Sequence, residues 1–248
     1  MTSDHKNRIN KQSKVSIIMP CFNEEHTIEE IIKRVLRQKC VGELIIVDDG
    51  STDGTLRNIR KIKNKKIILK KNQKNFGKGY SVRLGIEVAR FPIIGIQDAD
   101  LEYNPKDYEK LIRPIISMNA DVVYGSRFRT IEATRLLYFS HYLANKFLTF
   151  LTNIFTNLNL SDMETCLKFF KASAIKSVVL KENTFTIEAE LTIKLALKKF
   201  IFYEVPVTYI GRRYSEGKKI KFKDGILAII CIFKYGIGLR VRGRQNQK

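Results

Sequence analysis

The chain has 248 residues, of which 44% are hydrophobic and 10% aromatic, so it can bury a sizeable core and is too apolar for a disordered chain. Lysine and arginine number 45 and aspartate and glutamate number 25, which gives a formal net charge of +20. That charge predicts attraction to nucleic acid, acidic lipid or a phosphorylated substrate, without choosing among the three.

The first 13 residues are polar and basic, and they are predicted to form a disordered arm without the apolar core of a signal peptide. No stretch of about 18 uninterrupted apolar residues follows, so no transmembrane helix is expected. The four cysteines are far apart and form no C-x-x-C pair. They are therefore predicted to be reduced thiols of a cytoplasmic protein.

Apolar strands and amphipathic helices alternate along the first half of the chain. Strands are predicted at 14–20, 42–51, 65–71 and 91–100, and helices at 26–38, from 53 onwards and at 77–90. This alternation predicts an α/β domain with a parallel central sheet and helices on both of its faces.

The second half mixes strands with more apolar helices. Helices are predicted at 105–120, 135–155, 186–200 and 223–244, and strands at 121–128 and 202–214. The chain is therefore divided into a disordered basic arm (1–13), one domain (14–222, with halves 14–105 and 106–222), and a C-terminal amphipathic helix with a basic tail (223–248).

Polar clusters stand where four of the predicted strands end, at 22–24, 48–49, 75–79 and 98–100. Parallel sheets bind ligands at the carboxyl ends of their strands, so these clusters are expected to form one site. Asp98 and Asp100, with Ala99 between them and Glu102 beyond, offer oxygen ligands for Mg²⁺ or Mn²⁺. The alternative for a lone D-x-D is a solvated turn.

The stretch 47–55, "VDDGSTDGT", is an acidic turn that leads into a helix. Gly50 and Gly54 allow tight turns and close approach of a ligand. Asp49 can accept hydrogen bonds from a base or a ribose. Ser51 or Asp53 can cap the helix, and for Asp53 capping is favoured over catalysis.

The motifs "SIIMPCFNEEHTI", "IIVDDGSTDGT", "NFGKGYSVRLGI" and "QDADLEYNP" resemble, in order and spacing, the nucleotide-sugar half of family 2 glycosyltransferases with the GT-A fold. The later segments "GSRF", "HYLANKFLTFLTN", "DMETCLKFF" and "EVPVTYIGRRYSEGKKIKFKDG" are similar to the narrower group of dolichyl- and polyprenyl-phosphate sugar synthases. The resemblance covers nearly the whole chain. Leu167 and Glu102 depart from it, since relatives often carry an aromatic residue and Gln there.

The resemblance implies a role for each motif. The residues that it places on the donor side are Pro20, Phe22, Asn23, Glu24 and Asp49 in the nucleoside pocket, Lys78 near the base or ribose, and Asp98, Ala99, Asp100 and Glu102 around the metal and diphosphate. Ser126 and Arg127 would face the acceptor phosphate. Apart from the resemblance, Glu164 is expected to have a structural or acceptor-orienting role. Arg212, Lys218 and Lys219 lie on a loop that closes over the phosphates. Asp100, Arg127 and Arg212 are the expected catalytic residues.

The composition of "GRRYSEGKK" (211–219) fits such a lid, although a solvated basic loop is the alternative. Arg127 directly follows an apolar strand, and its planar fork suits a phosphate. A phosphate monoester has a second pKa of about 6, so it is already a nucleophile at neutral pH and needs no general base. A hydroxyl acceptor would need one, and Glu164 is the candidate.

The helices at 135–155 and 225–239 are the most apolar stretches outside the sheet, and basic residues flank the second. Both are interrupted by polar residues, which is typical of helices that lie in a membrane surface. The alternative is that they pack on each other or across a homodimer, and internal packing is favoured for part of 135–155.

The sequence therefore predicts a metal-dependent, inverting glycosyltransferase that is peripheral on the cytoplasmic face of a membrane. Its donor would be a nucleotide-diphosphate sugar of the GDP-mannose or UDP-glucose type, and its acceptor a polyprenyl or dolichyl phosphate. Transfer to a saccharide or another hydroxyl in cell-surface polysaccharide synthesis is the runner-up. Nucleic-acid binding, suggested only by the charge, is disfavoured because acidic clusters at the strand ends would repel phosphate.

Overall fold

The computed structural model describes residues 14–129, 135, 138–212 and 222–245, with side chains except at 222 and 239–245. The predicted arm at 1–13 and the loop residues Lys218 and Lys219 lie outside the described residues. Within them, all four cysteines are free thiols, and no helix is long and apolar enough to cross a bilayer.

Within the described residues, seven strands form a single mixed sheet in the order β3-β2-β1-β4-β6-β5-β7. The strands are β1 (Val15–Cys21), β2 (Val41–Asp48), β3 (Ile67–Lys71), β4 (Ile93–Ile96), β5 (Val122–Ser126), β6 (Lys168–Lys171) and β7 (Phe202–Pro206). All neighbours are parallel except β6, which runs antiparallel to β4 and β5. The parallel β1–β4 half confirms the predicted alternation.

The helices are α1 (Ile28–Leu36), α2 (Thr55–Lys61), α3 (Lys78–Val88), α4 (Tyr108–Ser117), α5 (Phe139–Thr156), α6 (Ala172–Lys176), α7 (Ile187–Leu197) and α8 (Phe222–Gln245). A short 3₁₀ turn at Pro105–Asp107 precedes α4. α1 forms for the reason its sequence gives: it buries Ile28, Ile31, Ile32 and Val35 along one face. Ion pairs from Glu29 to Lys33 and from Glu30 to Arg34 support its outer face.

The core lies on both sides of the sheet. Every residue of β1 and of β4 is buried, as a strand covered on both faces requires. The antiparallel strand β6 can pair closely with β4, because Gly95 of β4 has no side chain and leaves room for the ring of Phe169 in β6.

Helix α5 is turned with its polar side inwards. Its buried residues include Asn145, Thr149 and Thr152, whereas its apolar side is exposed. The polar stripe is held by the segment 160–163: Asn145 Nδ2 donates to Asp162, Thr149 Oγ1 accepts from the Met163 N–H, and Asn153 bonds both backbone groups of Leu160. The exposed large apolar residues of α5 are Phe139, Tyr142, Leu143, Phe147, Phe150 and Ile154.

Helix α8 packs on α5 and α7 along one side. The rings of Phe155 and Phe233 meet edge to face at 5.2 Å, and Gly236 allows Phe155 to approach the helix backbone. The other side of α8 exposes the apolar residues Ile226, Leu227, Ile230 and Ile237. We call the exposed apolar sides of α5 and α8 together the apolar platform. Internal packing therefore accounts for one side of each helix only.

Candidate active site

The polar clusters at the ends of β1, β2 and β4 meet at one edge of the sheet, as predicted. The Asn23 N–H donates to Ser51 Oγ at 3.0 Å, and the Glu24 N–H donates to Thr55 Oγ1 at 2.8 Å. Thr27 Oγ1 bridges to the Ala99 carbonyl at 3.0 Å. These bonds fasten the three strand ends into one continuous polar surface.

Asp49 anchors the glycine-rich turn that precedes α3. Its carboxylate accepts hydrogen bonds from the Phe76 and Gly77 N–H groups at 3.1 and 2.7 Å and from Asn72 Nδ2 at 2.7 Å. The neighbouring Asp48 is fully buried, and its Oδ2 has no hydrogen-bond partner among the described residues. The sequence predicted that Asp49 accepts from a nucleoside, and the structure adds that it already holds the turn.

The turn itself depends on two glycines. Gly77 has φ = 102°, and a Cβ at Gly77 or at Gly79 would collide with the backbone carbonyl of Asn183 or Glu182 respectively. The turn can therefore lie directly on the 182–183 segment, which sets the start of α3 and with it Lys78.

Lys78 belongs to a buried chain of alternating charges, which we call the charge relay. Its Nζ lies 3.0 Å from Asp98 Oδ1 and 3.0 Å from Glu188 Oε1 on α7, and Glu188 Oε2 is paired in turn with Lys168. Lys168 is completely buried and also donates to the carbonyls of Met163 and Thr165 at 2.9 and 2.5 Å. The relay therefore connects the D-x-D to the segment 163–168 in the second half.

The charge relay determines the charge states of Lys78 and Asp98. Burial alone would lower the pKa of Lys78, but the carboxylates of Asp98 and Glu188 hold that pKa well above its usual value. Burial alone would raise the pKa of Asp98, and the Lys78 ammonium outweighs it, so that pKa is lowered. Both groups are therefore charged at neutral pH.

Arg212 stands among three carboxylates from separate parts of the chain. Its Nη2 lies 2.7 Å from Asp100 Oδ2, its Nη1 lies 3.3 Å from Glu24 Oε2, and its backbone N–H donates to Glu102 Oε1 at 2.7 Å. The Tyr209 hydroxyl donates to the other oxygen of Glu102 at 2.8 Å. Arg212 Nε is buried without a hydrogen-bond partner among the described residues and lies 3.6 Å from Glu102 Oε1.

This crowding perturbs the pKa of Asp100. Burial, followed by the charges of Asp98 and Glu102, raises its pKa from 3.8 to about 7, and the Arg212 guanidinium opposes that rise. The predicted metal ligands thus face different cations of the chain. As they stand, no three Asp, Glu, His or Cys side chains in the described part of the chain form a group that could hold a metal ion.

Arg127, the predicted acceptor ligand, is bound to a carboxylate. Its Nε and Nη2 donate to the two oxygens of Asp162 at 2.7 and 2.6 Å, and both side chains are largely buried. The guanidinium also lies 5.3 Å from the ring centroid of Tyr209. Ser126 Oγ shares a hydrogen bond with Ser161 Oγ at 2.6 Å and accepts from the Phe128 and Arg129 N–H groups.

Glu164 is close enough to the charge relay and to Arg127 for their charges to act on its carboxyl group. Its Oε1 is buried and has no hydrogen-bond partner among the described residues. Burial, followed by the nearby charge of Glu188, raises its pKa from 4.5 to about 7. A carboxyl with this pKa can hold or release a proton near neutral pH.

Sequence reasoning missed Asp162, Lys168 and Glu188. For Glu188 a signal existed, because it lies in "IEAELTIKLAL", a helix that is buried on nearly all sides. A carboxylate inside such a helix needs a cationic partner. Three further predicted residues lie at the same edge as the carboxylates. Pro20 is the penultimate residue of β1, Phe22 directly follows that strand, and Lys78 is paired with Asp98.

A parallel-sheet edge lined by acidic strand ends and a glycine-rich turn defines an α/β enzyme of the nucleotide-binding kind. The sequence profile of Glycosyl transferase family 2 matches residues 16–179. The chain belongs to that family and is a glycosyltransferase, which confirms the predicted family.

Two relatives and one solved structure illustrate the similarity. Dodecaprenyl-phosphate galacturonate synthase of Rhizobium johnstonii is 32% identical over 174 residues, which cover 67% of this chain but only 50% of that protein. UDP-N-acetylglucosamine–dolichyl-phosphate N-acetylglucosaminyltransferase of Methanococcus voltae is 28% identical over 223 residues, or 82% of this chain and 88% of that protein. Glucosyl-3-phosphoglycerate synthase of Mycobacterium tuberculosis, solved with Mn²⁺, UDP and phosphoglyceric acid, has a TM-score of 0.70 at 17% identity and covers 92% of this chain and 81% of that one. This likeness confirms the predicted GT-A fold.

Proposed function

We propose that this glycosyltransferase moves a sugar from a nucleotide-diphosphate donor to a polyprenyl phosphate. The observation that carries the proposal is the connection between the acidic strand ends and the apolar platform. Glu102 bonds Tyr209, the guanidinium of Arg127 lies over the Tyr209 ring, and Asp162 joins Arg127 to Asn145 of α5. A long apolar acceptor lying on α5 would therefore have its phosphate near the donor site. The names of the two relatives, each of which contains a polyprenyl-type phosphate, support the same acceptor class.

The donor would lie along the ends of β1, β2 and β4. Its base and ribose would contact the pocket around Pro20, Phe22 and Asn23, with Asp48 and Asp49 as acceptors. The diphosphate would lie at Asp98, Asp100 and Glu102, a set of oxygen ligands that suits Mg²⁺ or Mn²⁺ once the Arg212 guanidinium has moved from between them. Such an ion would neutralise the diphosphate leaving group. Arg212, followed by the basic stretch 213–221, would then meet the phosphates.

The acceptor phosphate would attack directly and invert the anomeric carbon. Because a phosphate monoester is largely dianionic at neutral pH, this chain's residues need to orient the acceptor and balance its charge rather than remove a proton. We assign the orientation of the acceptor to Ser126 and Arg127, and we assign no general base.

The test is to incubate the purified protein and Mn²⁺ with radiolabelled UDP- and GDP-sugars and either a polyprenyl phosphate or soluble saccharides. Label in the lipid fraction supports the proposal, whereas label in saccharides alone overturns it. Asp100→Ala is expected to abolish transfer. Arg127→Ala is expected to raise KM for the acceptor far more than KM for the donor.

One observation favours a second candidate, which is transfer to a hydroxyl acceptor. Glu164 has an unpartnered buried oxygen and a pKa of about 7, as a general base requires. Glu164→Gln separates the two: it should leave transfer to a lipid phosphate largely intact but lower kcat by about 100-fold or more for a hydroxyl acceptor.

The apolar platform would lie on the cytoplasmic surface of an anionic membrane. Phe139 is 76% exposed and Ile230 is 57% exposed, and the sequence of α8 ends in the basic residues Arg240, Arg242 and Arg244. Interfacial helices combine these features.

Co-sedimentation with phosphatidylglycerol vesicles tests the platform. Phe147→Ser combined with Phe150→Ser should lower binding, whereas Val179→Ser, which changes an exposed residue elsewhere, should not. If the native platform instead joins two copies, sedimentation velocity will show a dimer that the double variant disrupts, and vesicle binding will be equal for all variants.

A further inference from the structure

We propose that Lys146 on α5 binds the phosphate of the acceptor and supplies the uncompensated positive charge that Arg127 lacks. This inference rests on the proposed function, since it presumes a lipid phosphate as acceptor. It adds a phosphate-binding residue that sequence reasoning did not identify.

Arg127, the residue predicted to bind the acceptor phosphate, already has its charge balanced by Asp162. The guanidinium of Arg127 directs two parallel hydrogen bonds to Asp162, and Asp162 accepts a further bond from Asn145. The pair is nearly neutral, and its geometry is the bidentate fork that Arg would otherwise offer to a phosphate. Arg129 nearby is likewise paired, with Glu204 at 2.9 Å. A dianionic phosphate in this region therefore needs another cation.

Lys146 is a cation without a carboxylate partner among the described residues. Its Nζ donates to the Ser161 carbonyl at 3.2 Å and lies 4.6 Å from the ring centroid of Phe128 and 5.7 Å from that of Tyr142. Aromatic faces and a carbonyl hold an ammonium group in place but leave its charge uncompensated. Lysine also suits a phosphate as a point charge with three donors.

Lys146 lies where the phosphate of the acceptor could be bound on one side of it and the apolar chain on the other. Towards the sheet, the ring of Phe128 is near both the ammonium of Lys146 and the guanidinium of Arg127, the latter at 5.7 Å from the ring centroid. Ser161, whose carbonyl holds Lys146, shares a hydrogen bond with Ser126. Towards solvent, Lys146 borders the apolar side of α5, where Tyr142, Leu143 and Phe147 are exposed. A phosphate at Lys146 would thus have its apolar chain on the platform.

Binding in detergent micelles tests the inference without depending on activity. The probes are a short-chain polyprenyl phosphate and the matching polyprenol, titrated against the full chain by isothermal calorimetry. The native protein should bind the phosphate more tightly than the alcohol. Lys146→Ala should weaken binding of the phosphate by about 10- to 100-fold, leave that of the alcohol unchanged, and leave nucleotide binding within twofold. Lys146→Arg should retain most of the preference for phosphate.

The matched control is Lys198→Ala. The Lys198 ammonium also donates a hydrogen bond to a backbone carbonyl, that of Ser177 at 2.7 Å, but Lys198 lies at the end of α7 and not on α5. It should change neither affinity. Equal losses for phosphate and alcohol in Lys146→Ala would overturn the inference, as would an unchanged affinity for the phosphate. If the native protein itself does not prefer the phosphate, the proposed acceptor class fails instead.

Discussion

Replacing Glu188 with Gln should sharply destabilise the protein, because Glu188 is the middle carboxylate of the charge relay. The change keeps the size of the side chain and removes its charge. Lys168, which is completely buried, would lose its carboxylate partner, and Lys78 would keep only Asp98. The amide can still accept a hydrogen bond, so the main loss is the compensation of charge.

The size of the effect follows from burial. Removing one partner of a buried ion pair costs about 3–5 kcal/mol, mainly because the other charge is left uncompensated. For a domain of 150–250 residues this corresponds to a fall in Tm of roughly 6–20 °C. Glu29→Gln is the surface control, because its pair with Lys33 is about half exposed on both sides. That pair should contribute little to stability, because solvent screens an exposed ion pair.

Urea unfolding followed by circular dichroism measures both variants, and a compensating variant tests the cause. Lys168→Met in the Glu188→Gln background removes the orphaned ammonium, so the double variant should be more stable than Glu188→Gln alone. The reasoning would be refuted if Glu188→Gln lost less than about 1 kcal/mol, or if Lys168→Met made it worse.

Three further changes test other parts of the site. Gly79→Ala places a methyl group against the Glu182 carbonyl, so the turn that carries Lys78 should shift; nucleotide affinity and Tm should both fall in a thermal-shift assay. Glu164→Gln should stabilise the protein more at pH 8 than at pH 5, by about 2–3 kcal/mol in urea unfolding. The sign follows because the folded pKa of about 7 exceeds 4.5, so native stability falls as pH rises through that window; equal effects at both pH values would contradict the burial. Arg212→Gln should tighten Mn²⁺ binding to the nucleotide-free protein, measured by electron paramagnetic resonance, because a competing cation leaves its three carboxylates; weaker binding would contradict that competition.

The first half of the fold could be predicted because its signals are local. Apolar runs such as residues 15–21 and the stripe of α1 specify strand and helix without knowledge of distant partners. The antiparallel β6 could not be predicted in the same way. It has four residues, and its place between β4 and β5 depends on a fit between Gly95 and Phe169 that is 74 positions away in sequence.

Helix α5 shows where periodicity stops being informative. The sequence shows an apolar and a polar stripe along residues 139–156, but it does not show which of the two faces the protein interior. The orientation of the helix depends on the hydrogen-bond partners of the polar stripe, which are Asp162, Met163 and Leu160 in the following segment. The pairing of Arg127 with Asp162 is invisible for the same reason: each residue alone has the character of a surface or ligand-binding charge.

Asp98, Asp100 and Glu102 are close in sequence, so their negative charges repel each other. In the structure, cationic side chains of the same protein balance these charges. Lys78 meets Asp98, and Arg212 meets Asp100 and Glu102. The D-x-D thereby joins α3 and the segment after β7 as well as offering oxygens to a metal.

A loss of activity in Asp100→Ala would then have two physical sources, the loss of a metal ligand and the loss of the bond to Arg212. Mn²⁺ titration and unfolding, measured on the same variant, separate the two. If metal binding is the main role of Asp100, the variant will lose Mn²⁺ affinity and keep its stability, since burial and neighbouring charges already oppose the ionised carboxylate. A variant that loses stability and keeps Mn²⁺ affinity would instead identify Asp100 as the joint between the two halves.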